Sequence, residues 1–537
     1  MAELRGAMER NALVLSVFLI LAVFWLNFAL YAAGGVYVQG DTFSYLVAAK
    51  NLVEGSGFTV GGEPEMTFPP GYGLTAMPFY LVGFELVQSG VIANVVLMGL
   101  ACLFVYLICR EFVARSYSLL AVALLVANGK VVFYVTRAMS ETAYMAAILG
   151  AAYFAVRFSH SGRRGYLAGL GAFCAAAALT RPEGIGIAGL LFGYILILSL
   201  FESGRPRIST AFVTRWLVNA AVWAAAFGIV YAPYAWFLSN QIGHFVLTNK
   251  TNINILAGNA VLTAPKGVNL MFATDIYINH PALRRPLPAH ADLLREVINL
   301  QHYLRYALEQ SAVPVICVAV TVAGLMVFEY RRRIWFRPNR KAIEAWLLCL
   351  FMLCVIVALS YFQAKPRFFS PLNPVVAIAA AVAVSGLLAG MAPRARGRIL
   401  AVAVTTAVLA GILLNVHFAR KPVEEAPSRL AAEALAQLSV PRPISVLTLR
   451  RHSMVSYYAN HHRVLADARM ERLDVLAGPA DAARLMKRKG LTYFVVDKAY
   501  LQTRPYIGAL WTCRDHCPDG FHLVGEVPEM YRIFVIR

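Results

Sequence analysis

The chain has 537 residues, of which 59% are hydrophobic and 15% charged, and its formal net charge is +20. Soluble domains carry about 25% charged residues, so this composition excludes an ordinary soluble protein. Apolar runs of about 18 residues or more recur along most of the chain, as bilayer-spanning helices require. The basic residues lie in short loops between these runs, which is the pattern that orients a membrane protein. The sequence therefore predicts a polytopic α-helical membrane protein and argues against a nucleic-acid-binding one.

The apolar runs predict about eleven transmembrane helices. They are expected at residues 12–33, 90–109, 117–135, 142–158, 216–238, 312–328, 344–362, 370–391 and 399–418, with two more in 167–200. Thr180-Arg181-Pro182-Glu183-Gly184 should break the 167–200 run, because proline starts a helix and glycine favours a turn. Two long loops, 34–89 and 239–311, contain apolar stretches that suit helices on the membrane surface. The first apolar run exceeds the length of a cleavable signal, and we expect it to remain as an anchor.

Charge orients these helices. The short loops on the side of Arg5 and Arg10 collect 19 of the 49 Arg and Lys residues, as expected for a cytoplasmic face. We therefore expect the N-terminus on the cytoplasmic side of the membrane and the C-terminal region on the opposite side. With an odd number of spans, the opposite face receives Asp41, Glu141, Arg181, Lys365 and Arg367.

The C-terminal region, 420–537, has a different pattern and predicts a small soluble α/β domain. Strands are expected at 445–449, 463–466, 493–496, 521–524 and 531–536, with helices at 428–438 and 481–489. No glycine-rich fingerprint joins a strand to a helix, so nothing indicates nucleotide binding. Residues 1–419 then form the membrane module, with long outer loops at 34–89 and 239–311.

Two cysteines, Cys513 and Cys517, lie close together in this region. A local disulfide is expected if the region faces an oxidising compartment. A zinc site is less favoured, because no second pair of ligands stands at zinc-like spacing. His452, His461 and His462 suit an exposed turn rather than a ligand set. We predict no metal and no cofactor.

Two acids follow predicted span ends on the same face. Asp41, in Gly40-Asp41-Thr42, could take a proton from an acceptor hydroxyl, or it could cap the following helix. Glu141 could be a second acid, or a first-turn residue behind a Ser140 N-cap, where negative charge suits the helix dipole. A charged group at a span end is costly, which makes each a functional hypothesis.

Two groups with cations stand on that face as well. Arg181 and Glu183 either pair with each other or take part in a site. Lys365 and Arg367 either reach to the interface or hold a phosphate, for which arginine offers two parallel hydrogen bonds and lysine a point charge. Acids that activate a hydroxyl, beside cations that hold a phosphate, suit displacement at a carbon that bears a phosphate leaving group.

Five short motifs follow one another along most of the chain. They are Gly40-Asp41-x-x-x-Tyr45, Phe68-Pro69-Pro70-Gly71-Tyr72, Met139-Ser140-Glu141, Leu179-Thr180-Arg181-Pro182-Glu183-Gly184 and Arg367-Phe368-Phe369-Ser370-Pro371-Leu372. In this order they resemble the GT-C superfamily of polyprenyl-phosphate-sugar-dependent glycosyltransferases. Within this superfamily, the resemblance is to the protein O-mannosyltransferases and the lipid A aminoarabinose transferase.

The resemblance implies an inverting, metal-independent sugar transfer from a polyprenyl-phosphate donor to a hydroxyl of a cell-envelope glycan or glycolipid. It assigns catalysis to Asp41 and Glu141, the donor phosphate to Arg181, Lys365 and Arg367, and supporting roles to Tyr45, Arg137 and Glu183. In the mannosyltransferases a glutamate follows the aspartate, whereas Thr42 follows Asp41 here. The branch of the superfamily, and with it the acceptor, therefore stays open.

Two other functions would use the same features. A transporter or flippase of a lipid-linked glycan also needs many spans and buried charges, but such proteins are often built from inverted repeats, and none is visible here. A non-enzymatic component of envelope assembly would use the charged residues only as caps and ion pairs. The sequence favours the enzyme, with the bilayer, a lipid-linked sugar and a glycan acceptor as partners.

Overall fold

The computed structural model describes two parts of the chain and a few isolated residues besides. In the membrane part it describes residues 20–30, 40–60, 63–200, 210–249 and 372–389. In the C-terminal part it describes 445–448, 469–472, 479–497, 508–514, 517–527 and 531–536. The predicted spans at 312–328 and 344–362, and the residues Lys365 and Arg367, lie outside the described residues.

The membrane part is helical. Its helices are α1 (Ile20–Leu30), α2 (Gly40–Val53), α3 (Gly71–Leu81), α4 (Leu86–Phe112), α5 (Arg115–Ala127), α6 (Gly129–Val135), α7 (Glu141–Ser161), α8 (Arg164–Thr180), α9 (Glu183–Leu200), α10 (Thr210–Ile242) and α11 (Leu372–Leu388). Within the described residues, α4, α7 and most of α10 are long and apolar enough to cross a membrane, and α5 with α6 make a fourth candidate. The apolar helices indicate a membrane protein, while the count of about eleven spans stays a prediction.

The predicted span at 117–135 is bent. The helices α5 and α6 meet at 67° around Asn128, within the run that was predicted as one span. A break inside an apolar layer leaves backbone groups that need new partners. The Asn128 side chain accepts a hydrogen bond from the amide of Lys130 at 3.2 Å, and Asn27 of α1 donates to the carbonyl of Val126 at 3.3 Å. Two asparagines thus satisfy groups that the bend exposes.

The predicted break in the 167–200 run is confirmed. Helix α8 ends at Thr180 and α9 begins at Glu183, with Arg181 in an extended conformation between them. Gly184 is needed for close packing, since a Cβ there would lie 2.4 Å from the carbonyl carbon of Ala177. Proline and glycine in this motif therefore turn the chain and pack α9 tightly on α8.

The predicted loop at 34–89 folds into α2, α3 and a small antiparallel hairpin, β1 (Thr59–Val60) with β2 (Glu63–Pro64). The aromatic rings of Phe68 and Tyr72 pack edge-on against Tyr45 of α2, at centroid distances of 5.0 and 5.7 Å. Gly73 lets the two helices touch, because a Cβ there would lie 2.3 Å from the carbonyl oxygen of Tyr45. The Phe68–Tyr72 motif thus holds α3 against the helix that carries Asp41.

The C-terminal part contains a five-stranded sheet in the order β4-β3-β5-β7-β6. The strands are β3 (Ser445–Thr448), β4 (Arg469–Arg472), β5 (Tyr493–Asp497), β6 (Phe521–Val527) and β7 (Tyr531–Ile536). Strand β3 is parallel to β4 and β5, whereas β7 is antiparallel to β5 and β6. Four predicted strands are confirmed, and the fifth, at 463–466, lies outside the described residues. The domain boundary near residue 420 stays a prediction.

Two short helices accompany the sheet, α12 (Pro479–Lys489) and α13 (Gly508–Thr512). The helix predicted at 481–489 is confirmed as α12, and Gly490 after it has a positive φ of 64°, as a helix-ending glycine often does. Phe494, Phe521 and Phe534 form the centre of the core beneath α12. Cys513 and Cys517 form a disulfide beside this core.

We expect Gly73→Ala to lower the free energy of unfolding by about 1–3 kcal/mol, because the added methyl group overpacks the contact between α2 and α3. The unfolding temperature of the detergent-purified protein, followed by intrinsic fluorescence, measures the effect. Gly99→Ala on α4 is the matched control, since no atom lies within 4 Å of the Cβ that it adds. Equal unfolding temperatures for the two variants would contradict the close contact.

Candidate active site

Asp41 and Tyr45 lie on one face of α2. They are four residues apart, about one helical turn, and Asp41 is in the first turn of the helix. Because α2 begins at Gly40, Asp41 stands inside the helix rather than at its N-cap, where its negative charge still suits the helix dipole. Asp41 is half-buried, whereas Tyr45 is buried. Asp41 is therefore more accessible than Tyr45.

The turn between α6 and α7 is strained and held from several sides. Ala138 has a φ of 47°, in the left-handed region that costs an L-residue about 1–2 kcal/mol. The side-chain amide of Asn94 on α4 donates to the carbonyls of Tyr134 at 3.4 Å and Met139 at 3.1 Å. The hydroxyl of Thr42, next to Asp41, donates to the carbonyl of Arg137 at 3.5 Å. This turn is thus fastened to α4 and to α2.

Ser140 ends this turn and joins α7 to α2. It is the N-cap residue of α7, as predicted, but its side chain does not cap the helix. Its backbone has helical φ and ψ of −71° and −9°, and its hydroxyl donates to the Tyr45 hydroxyl at 3.3 Å. Burial raises the pKa of Tyr45 well above its usual range, although the charge of Arg181 opposes this. Tyr45 therefore stays protonated at physiological pH.

A buried ion cluster begins at Glu141, the residue that follows Ser140. Nη1 of Arg181 is 3.0 Å from Oε1 of Glu141, and its Nε is 3.5 Å from Oε2 of Glu183. The side chains of Arg181, Glu141 and Glu183 are only 8%, 2% and 12% exposed. The predicted pairing of Arg181 with Glu183 is present, and Glu141 joins it from a helix forty residues away.

Two further cations flank one aromatic ring near the turn. The Nζ of Lys130 lies 4.7 Å from the Phe133 ring centroid, and Cζ of Arg137 lies 4.4 Å from it. Such distances give favourable cation–π contacts, which gain strength away from water. Arg137 is 7% exposed and therefore buried. Positive charge thus accumulates on α6 and in the turn that follows it, and this turn contacts the helix that carries Asp41.

The structure brings together six of the eight predicted site residues: Asp41, Tyr45, Arg137, Glu141, Arg181 and Glu183. Lys365 and Arg367 lie outside the described residues, and their part in the site stays a prediction. Among the described residues, no group of three His, Cys, Asp or Glu side chains could hold a metal ion. Asn94 and Lys130 were not among the predicted site residues. A lysine inside an apolar span was a usable signal for the second.

Known structures with a similar fold exist. ArnT from Cupriavidus metallidurans bound to undecaprenyl phosphate has a TM-score of 0.59 and 12% identity, with 98% of each chain covered. The Archaeoglobus fulgidus oligosaccharyltransferase in complex with zinc and sulfate has a TM-score of 0.57 and 13% identity, covering 92% of this chain and 69% of that one. AglB of A. fulgidus with an inhibitory peptide and a dolichol-phosphate gives 0.56 and 13%, covering 92% and 71%.

ArnT, the lipid A aminoarabinose transferase, and AglB are both GT-C glycosyltransferases. The resemblance to this superfamily is therefore confirmed at the level of the fold. No protein-family model and no curated protein sequence matches the chain.

We expect Asn94→Ala to destabilise the protein by about 2 kcal/mol, because it removes both hydrogen bonds that the Asn94 side chain donates to the carbonyls of Tyr134 and Met139 on either side of Ala138. Chemical unfolding in detergent measures the difference. Ser159→Ala is the matched control, since that half-buried hydroxyl bonds only locally, to Val156 of its own helix. A loss no larger than that of the control would show that Asn94 does not hold the turn.

Proposed function

We propose that the protein is an integral-membrane inverting glycosyltransferase, which moves a sugar from a polyprenyl-phosphate donor to a hydroxyl of a cell-envelope glycan or glycolipid. The fold likeness to ArnT over 98% of both chains supports a membrane glycosyltransferase with a lipid-linked donor. We further propose that transfer takes place on the periplasmic side of a bacterial inner membrane. Residues 1–419 would form the membrane module and 420–537 the periplasmic domain.

The half-buried carboxylate of Asp41 carries this proposal. Within the described part of the site, Glu141 is 2% exposed and Glu183 is 12% exposed, and both contact Arg181. Asp41 is half-buried, more open than Glu141, and it stands at the start of α2. A general base must come within hydrogen-bond reach of the proton that it removes. We therefore assign the reacting carboxylate to Asp41.

The reaction follows from this assignment. Asp41 accepts the proton of the acceptor hydroxyl as that oxygen attacks the anomeric carbon of the donor sugar. The new carbon–oxygen bond forms on the face opposite the breaking bond to phosphate, so the configuration at this carbon inverts. The electron pair of the broken bond leaves with the polyprenyl phosphate. The atoms and charges balance without a metal or a cofactor.

The leaving phosphate needs positive charge beside it. We propose that Lys365 and Arg367 contact it, as the resemblance implies, and that the buried cation Arg137 supports the negative charge from the α6–α7 turn. The backbone of Arg137 lies beside α2, because its carbonyl accepts a hydrogen bond from Thr42, the neighbour of Asp41. Fixed cations in a site poor in water stabilise developing charge strongly.

We expect Asp41→Asn to abolish sugar transfer while the unfolding temperature stays within a few degrees of that of the unaltered protein, because the amide cannot accept the proton. Transfer is measured on purified protein with a lipid extract of the native membrane, by mass spectrometry of the glycolipids before and after incubation. Glu85→Gln is the control, since Glu85 is an exposed acid outside the described contacts of the site.

Two results would contradict the proposal. Near-normal turnover by the Asp41→Asn protein would remove Asp41 from the reaction. Movement of a lipid-linked glycan across a vesicle membrane, without any new glycosidic bond, would identify a transporter or flippase instead. The same mass spectra name the sugar and the acceptor if transfer occurs.

A further inference from the structure

Arg181 stands between two carboxylates rather than in an open cation site. Its guanidinium contacts Glu141 and Glu183 at 3.0 and 3.5 Å, and its Cζ lies 5.7 Å from the ring centroid of Tyr144. The backbone is fixed too, since the Arg181 amide donates to the Ala177 carbonyl at 2.9 Å. The side chain therefore has little freedom to turn toward a substrate.

The charge of this cluster disfavours a phosphate. One guanidinium and two carboxylates give the cluster a formal charge of −1. A phosphate brought to Arg181 would meet two negative groups within the same buried volume, where like charges repel more strongly than in water. The predicted role of Arg181 as a ligand of the donor phosphate is thus poorly supported by its surroundings.

The cluster instead leads by direct contacts to Asp41. Glu141 is the first residue of α7, and Ser140 before it donates to the Tyr45 hydroxyl at 3.3 Å. Tyr45 is one turn after Asp41 on α2.

We propose that Arg181 and Glu141 are positioning residues: their ion pair fixes the start of α7, and through Ser140 and Tyr45 it fixes the helix that presents Asp41. This inference rests on the proposed function, because it takes Asp41 as the reacting group. It gives Glu141 a structural contact in place of direct chemistry and gives Arg181 no contact with the donor. The α8–α9 break then contributes to the site indirectly, because it holds Arg181 in contact with Glu141.

The test compares Arg181→Lys, Glu183→Gln, Ser140→Ala and Tyr45→Phe. Purified proteins are titrated with undecaprenyl phosphate, and transfer is measured at several concentrations of a membrane lipid extract. A misplaced base slows the chemical step, so we expect kcat to fall about tenfold or more for Arg181→Lys and several-fold for Tyr45→Phe. The Kd for undecaprenyl phosphate and the KM for the extract should stay within about twofold.

A double-variant cycle tests the connection itself. If Arg181 acts through Tyr45, the losses in kcat of Arg181→Lys and Tyr45→Phe are not additive, because either change already releases the same helix. Tyr80→Phe is the control: that hydroxyl bonds Glu54 at 2.7 Å, outside the network, and its loss should leave kcat unchanged.

Three outcomes would overturn the inference. The first is an Arg181→Lys protein that binds undecaprenyl phosphate about tenfold more weakly, which would make Arg181 a phosphate ligand. The second is unchanged kcat in Ser140→Ala and Tyr45→Phe, and the third is additive losses in the cycle. Should Arg181→Lys fail to fold, the two hydroxyl variants still decide the matter. Failure of the proposed function looks different, since the unaltered protein would then form no glycosidic bond, while the binding titration would still report on Arg181.

Discussion

A guanidinium held between two carboxylates in a place closed to water is the constraint on which the described membrane part depends. Arg181, Glu141 and Glu183 come from a helix break and from the start of another helix, and none is more than 12% exposed. Removing one partner from such a buried pair costs about 3–5 kcal/mol, because a charge is left without compensation. The α8–α9 break and the first turn of α7 are therefore fixed relative to each other.

Three glycines allow the helices around this ion cluster to pack closely. Gly71 approaches the backbone of Leu179, Gly73 approaches that of Tyr45, and Gly184 approaches that of Ala177, each closer than a side chain would allow. These contacts bring α3 against α2 and α8, and they bring α9 against α8. Since lipid is as apolar as the side chains, close packing rather than the hydrophobic effect holds such helices together. The ion cluster keeps its low dielectric because the helices around it touch.

Local signals explain what the sequence could predict. Proline and glycine predicted the break after Thr180, and short β-branched and aromatic runs predicted four strands of the sheet. The bend at Asn128 was missed because the apolar run continues through it without a proline. The pairing of Arg181 with Glu141 spans forty residues, and no periodicity reports a contact of that kind. The predicted number of spans and the positions of the basic loops put both residues on the same side of the membrane. Only the packed helices determine which acid contacts which cation.

The disulfide between Cys513 and Cys517 lies beside the core of the C-terminal sheet. Cytosolic thiols stay reduced, so under the proposed periplasmic placement this bond would form only after the segment has crossed the membrane. The bond would then act as a record of translocation carried in each molecule, readable because both sulfurs fail to react with a thiol-alkylating reagent until they are reduced.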